Sequence, residues 1–150
     1  MCLYTNKNIE KSNKKITCYK VVKYNKKEDR YFTPYRNCVI DSKVVNGEEA
    51  MEVIGDTGLV PSIWSDYKKV AEGGFIHCFV NKQDAFSERD YWINKITNNN
   101  FEVKIFECVI PEDTEYVNGF FIVNDPAFNE IKYKSIAARK IKFAKEIDVK

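Results

Sequence analysis

Apolar and polar positions along this chain fall into blocks of two different periods. The run Ile16-Thr17-Cys18-Tyr19-Lys20-Val21-Val22-Lys23-Tyr24 is dense in β-branched and aromatic residues and predicts a strand. Residues 25–29 form a turn signal, so Tyr31-Phe32 begins a returning strand, which Pro34 limits to a short or edge piece. The segment Gly74-Phe75-Ile76-His77-Cys78-Phe79-Val80 is almost continuously apolar between turn residues, the pattern of a strand buried on both faces. Asn81 follows as a helix N-cap, and Ala85, Phe86, Trp92, Ile93 and Ile96 then recur at helical spacing, which predicts a principal helix over 82–98. Residues 101–105 alternate with period two, residues 106–110 are largely apolar, and Pro111 ends the strand. The three stretches around residues 20, 77 and 106 are expected side by side as a buried sheet, covered by that helix.

The other segments carry weaker patterns. Residues 1–15 are polar and lysine-rich and read as a flexible leader. Asn46-Gly47 marks a tight turn after Val44-Val45, because both residues tolerate positive φ. Residues 48–61 are ambiguous. Ser62 can cap a short helix over 63–72, with Gly73 at its left-handed end. Asn118-Gly119, flanked by Tyr116-Val117 and Phe120-Phe121, predicts a type I′ hairpin. Residues 131–136 suit a strand, and 140–147 a strand or a frayed helix. The expected class is α+β: a mixed, mainly antiparallel twisted sheet packed against one principal helix (82–98) and one short helix (63–72). The organisation is a leader, 1–15, and a single domain, 16–150, without internal repeat or linker.

Composition narrows the function classes. In 150 residues, 44% are hydrophobic and 14% aromatic, enough for a core and too much for a disordered chain. Basic and acidic residues number 24 and 22, so the strong basic excess of a dedicated nucleic-acid binder is absent and the local lysine runs read as a solvated face. No apolar run reaches the ~20 residues of a membrane span. The first residues lack the apolar stretch of a signal peptide, which places the protein in the cytoplasm. The five cysteines are odd in number, widely spaced and without a CxxC pair, and the only histidine is His77, so zinc-ligand spacing is missing. Cys18, Cys78 and Cys108 lie in apolar strand-like runs and read as buried thiols of a reducing compartment.

Candidate chemistry is sparse. His77 is first in line as a base or ligand, yet it shares its strand face with Phe75 and Phe79, where a hydrogen-bonded core histidine is the commoner outcome. A Cys78–His77 dyad is disfavoured because neighbours on a strand point to opposite faces. Glu107 interrupts an apolar run and sits on a solvent-facing pleat or in a cavity wall, the former favoured. No nucleophile elbow, Walker loop or Gly-x-Gly-x-x-Gly is present.

Taken in order, Met1-Cys2-Leu3-Tyr4-Thr5, Cys18-Tyr19-Lys20-Val21, Gly74-Phe75-Ile76-His77-Cys78-Phe79, Glu107-Cys108-Val109-Ile110-Pro111 and 116–119 resemble the motifs of a family of short uncharacterised proteins of gut bacteria and their phages. That resemblance implies no particular chemistry. More distantly, Gly73-Gly74-Phe75-Ile76-His77-Cys78-Phe79 followed by a helix with Ala85 resembles the Gly-x-Tyr-Phe strand and Ser-x-x-Ala helix of ADP-ribosyltransferase-like folds. This likeness implies a pocket between the first strand and the His77 strand, lined by Tyr19, Lys20, His77 and Phe79, with NAD as its ligand. It departs from that family in carrying Tyr19-Lys20 where a His or Arg grips NAD. It also lacks a Glu-x-Glu motif; Glu130 is the nearest late carboxylate. Two functional expectations follow. The first is a non-enzymatic binding or interaction protein, a phage or mobile-element accessory with a protein partner and no cofactor or metal. The alternative is an NAD- or nucleotide-binding protein with a degenerate catalytic set.

Overall fold

A computed structural model describes residues 3–35, 37–53, 58–62, 66–71, 74–124 and 127–147. In chain order the elements are β1 (Leu3–Thr5), β2 (Glu10–Lys11), β3 (Ile16–Asn25), β4 (Arg30–Phe32), β5 (Val39–Ile40), α1 (Ser42–Val45), β6 (Met51–Glu52) and β7 (Val60–Pro61). They continue with β8 (Lys69–Ala71), β9 (Ile76–Phe79), α2 (Lys82–Lys95), β10 (Phe101–Ile110), β11 (Glu115–Asn124), β12 (Glu130–Ala138) and β13 (Lys140–Ile147). The strands run β6-β13-β10-β3-β9-β12-β11-β1-β8-β7, with β4 on β3, β5 on β4 and β2 on β11. Every pairing among the described residues is antiparallel.

Strand makes up 51% of the described residues and helix 14%, and the sheet curls into a half-barrel. This corrects the expected mixed sheet packed on a principal helix. The reason lies in what each element buries. Helix α2 buries only Ala85 and Glu88, too little to organise a domain. The larger core is instead the inner face of the curl: Cys18 and Val22 of β3, Ile76 and Cys78 of β9, Phe106, Cys108 and Ile110 of β10, Ile136 of β12, Ile141 and Phe143 of β13. A bulge in the β10–β13 pairing, with Ala144 of β13 as the extra residue opposite Glu107 and Cys108, adds the local twist that bends long strands round a core. On the outer face α2 covers a smaller, aromatic-rich cluster of Val21, Phe79, Ile105 and Phe121.

The central prediction holds: β10, β3 and β9 are consecutive neighbours, and α2 packs over all three. Helix α2 begins at the predicted place but ends at Lys95, not at residue 98. Three other expectations are corrected. The leader is partly ordered: Leu3 is fully buried and β1 pairs with both β8 and β11. The short helix of 63–72 is replaced, where described, by β8, since Val70 and Ala71 are buried against β1 and Pro61 pairs with Lys69 in a β7–β8 hairpin; residues 63–65 and 72–73 lie outside the described residues. Asn118-Gly119 is no turn but the middle of the unbroken strand β11. Gly119 is there for closeness: a Cβ would fall within 3.0 Å of the Tyr4 carbonyl oxygen and the Leu3 side chain, so only glycine lets β1 lie so near. Residues 140–147 are strand. Asn46-Gly47 does turn the chain, but after α1, with Gly47 at φ 79°.

Candidate functional site

The site arises where one strand ladder stops. On one side β3 pairs with β10 through ten residue pairs, from Ile16↔Ile110 to Asn25↔Phe101. On the other side β3 meets β9 at Tyr19↔Phe79 alone. Continuing that register would set Val21 opposite His77, but the strands part and the rung is not made. The His77 carbonyl, which needs a donor once buried, accepts instead from the Lys20 ammonium at 3.1 Å.

The gap holds a cavity of about 240 Å³. Lys20 and Val21 of β3, and Ile76, His77 and Phe79 of β9, line it. Consecutive residues on a strand point to opposite faces, so the cavity passes between the strands through the sheet. Gly74 and Phe75 close one end; Met51 and Val53 stand beside them. Val53 is fixed by its N–H donating to the Arg139 carbonyl at 2.8 Å, and the Arg139 guanidinium lies 3.9 Å over the Phe75 ring while donating to the Gly74 carbonyl. Thr33, Pro34, Tyr35 and Cys38, from the connection between β4 and β5, form the cover, and Glu88 reaches in from α2.

Glu88 ties the cover to the helix. Its Oε1 accepts from the Tyr35 hydroxyl at 2.5 Å and from the Trp92 indole N–H at 2.9 Å, and the Tyr35 and Trp92 rings meet edge-on at 5.0 Å. Burial raises the Glu88 pKa, opposed by these two hydrogen bonds, because desolvation disfavours the charged carboxylate. Burial, followed by the bond to Glu88, also pushes the Tyr35 hydroxyl far up. Glu88 is 3% exposed and Lys20 is 8% exposed. No ion pair joins Lys20 to a carboxylate among the described residues.

Behind Lys20, on the inner face, sit three thiols. Cys18 and Cys108 face each other across β3 and β10. The Cys18 thiol is hydrogen-bonded to Cys78, which raises the Cys18 pKa, with burial adding to it; the same bond lowers that of Cys78, with burial opposing. Burial raises Cys108. No disulfide joins the described cysteines, and no group of three metal-ligating side chains occurs among the described residues. Two larger pockets, of about 500 and 450 Å³, lie beside Arg89 and Phe101 and beside Thr5 and Phe120. Neither is lined by a charged residue as buried as Lys20 or Glu88, so the smaller cavity is the candidate.

Of the four residues expected to line a pocket between β3 and β9, the structure brings Lys20, His77 and Phe79 together there. Tyr19, at the one rung between β3 and β9, packs in the cluster under α2 and is not among the lining residues. Tyr35, Glu88 and the cover were not foreseen. Glu88 carried a readable signal: with Ala85 and Trp92 it falls at i, i+3 and i+7 of one helical face, so a carboxylate stands where the pattern asks for an apolar residue. Glu107, an alternative cavity carboxylate, is not among the lining residues. Among the described residues no helix is long and apolar enough to cross a membrane. Comparison with models of known protein families, with curated proteins and with solved structures finds no match. The resemblance to short proteins of gut bacteria and phages therefore rests on its motifs alone, and the ADP-ribosyltransferase-like expectation gains no support from the half-barrel.

Proposed function

We propose that this chain is a non-enzymatic binding protein that takes a small, largely apolar molecule into the cavity between β3 and β9. One observation carries the reading: the sheet is breached at its most buried strands, and the breach is walled by apolar side chains with a few convergent polar groups, the usual make-up of a ligand site. A ladder that simply failed would leave backbone groups wanting partners. Here side chains and a dedicated cover line the gap instead. Pockets for drug-sized ligands measure roughly 300–1,000 Å³, so a cavity of about 240 Å³ suits a smaller ligand and favours a small molecule over NAD. Buried thiols without a disulfide suit a cytoplasmic setting.

Thermal unfolding of the full chain with small amphipathic compounds tests this. A ligand at a hundred times its dissociation constant adds about 2.7 kcal/mol of stability. Val53→Trp, which fills the cavity from its wall, should remove the shift while the variant still unfolds cooperatively. Stabilisation by NAD or ADP-ribose, and by nothing smaller, would overturn the proposal.

A further inference from the structure

Lys20 is the least expected residue of the cavity. It alternates with Cys18 and Val22, so its side chain leaves β3 on the apolar inner face, and it is more than nine-tenths buried. Burying an ammonium is costly without a negative partner, yet its one hydrogen bond among the described residues goes to a neutral carbonyl, that of His77. An ammonium has three donors, so two remain for whatever enters the space. Glu88, the carboxyl of the cavity wall, is not the missing counter-ion. Its Oε1 is held by Tyr35 and Trp92, and it makes no ion pair with Lys20.

Resting on the binding reading above, we infer that the ligand is a small carboxylic acid with an apolar body, its carboxylate seated on Lys20 and its body against Val21, Phe75 and Phe79. A carboxylate offers the ammonium charge-assisted acceptors, and no wall residue makes an ion pair with Lys20 among the described residues. The surrounding aromatic and aliphatic side chains gain by covering an apolar body and offer nothing to a fully hydrated anion. Phosphate needs several donors converging on it, and among the described residues Lys20 is the one cationic side chain that lines the cavity.

The experiment is calorimetric titration of the full chain with benzoate and hexanoate, with benzamide and hexanamide as neutral counterparts of the same shape, and with inorganic phosphate. The carboxylates should bind at least about tenfold more tightly than their amides, a difference of about 1.4 kcal/mol, and phosphate should give no heat. In Lys20→Met the preference should vanish, with the amides binding at least as well as in the wild-type protein. In the absence of ligand the variant's melting temperature reflects two opposed changes, relief of a buried charge and loss of the donor to the His77 carbonyl, so the acid–amide preference and not the melting temperature is the readout. The comparison of carboxylate with amide in the wild-type protein stands even without the variant. Equal affinity for acid and amide overturns the acid inference and leaves the binding reading intact. Phosphate binding as tightly as the acids also overturns it. Heat from none of these compounds sinks both readings together.

Discussion

Strand β3 is bonded along one edge and open along the other. Toward β10 it makes ten successive residue pairs, and the side chains beneath them, Cys18, Val22, Phe106 and Cys108, are nearly inaccessible. Toward β9 one pair is followed by a cavity. The residues differ in kind as well. The closed side is lined by thiols, aliphatics and phenylalanines, whereas the open side interposes Lys20, whose ammonium does the work of a missing backbone donor. One strand can thus serve as the fold's spine and as the wall of its candidate site, because each of its edges is stabilised separately. The contrast implies that the closed side sets stability, while the open side is free to give up stability for a ligand.

The same kind of truncation should therefore have unequal effects on the two sides. Phe106 is 5% exposed and packs against Phe143 at 5.2 Å and Tyr31 at 6.1 Å. Phe106→Ala leaves a void in a filled core and should cost about 3–5 kcal/mol. Val53 already borders empty space and is half-buried, so Val53→Ala should cost about 1 kcal/mol. Urea unfolding of both variants measures the difference. Equal losses would show that the cavity wall is as tightly packed as the spine, and the comparison would fail.

A smaller effect, and one of definite sign, belongs to Glu88. Its folded pKa is raised by burial, so its protonated form is the one the fold prefers. The associated stability is fully present below the unfolded value of about 4.3 and is lost as pH rises through the raised folded value. Charged and titratable groups near it are Tyr35 from the cover, Tyr133 from β12 and Arg89 beside it on α2. None of them reverses the sign. Glu88→Gln should flatten this part of the stability profile between mildly acidic and neutral pH, measured by denaturant unfolding at each pH. A slope that survives in the variant must come from another group.

Much of this contrast was legible in the chain, and the failures have physical causes. Strands β3 and β10 have patterns strong enough to fix their bounds within a residue, and the neighbourhood of residues 20, 77 and 106 follows from their shared burial. The expectation that Lys20, His77 and Phe79 line one pocket comes only from the likeness to ADP-ribosyltransferase-like folds, not from alternation. Tyr19 could not be excluded, because it lies at the last rung before β3 and β9 part, and where the ladder parts is not written in the pattern. Local turn chemistry misled at Gly119, where the glycine answers to β1, more than a hundred residues away in sequence. Likewise Ser62 looks like a helix cap, yet its N–H donates to the Lys68 carbonyl at 3.0 Å across a hairpin. The curl itself is a sum of small twists and leaves no single residue as its mark. For that reason the helix, visible as a pattern, was given more of the fold than it holds.

The smallest expected effect lies in the cover. Tyr35→Phe removes the hydroxyl that donates to Glu88 Oε1 and keeps the ring against Trp92 and Phe121. At low pH, with Glu88 neutral, the loss should be about 1 kcal/mol, one ordinary hydrogen bond. The deleted bond opposes burial in setting the Glu88 pKa, so without it that pKa moves further up. The gap between variant and wild type should therefore widen as pH rises toward neutrality, where an ionised Glu88 has lost its best donor. Paired denaturation curves at acidic and neutral pH read this directly. A constant gap would mean that Tyr35 holds the cover through its ring alone, and that the open edge of β3 is closed by packing and not by the buried carboxyl.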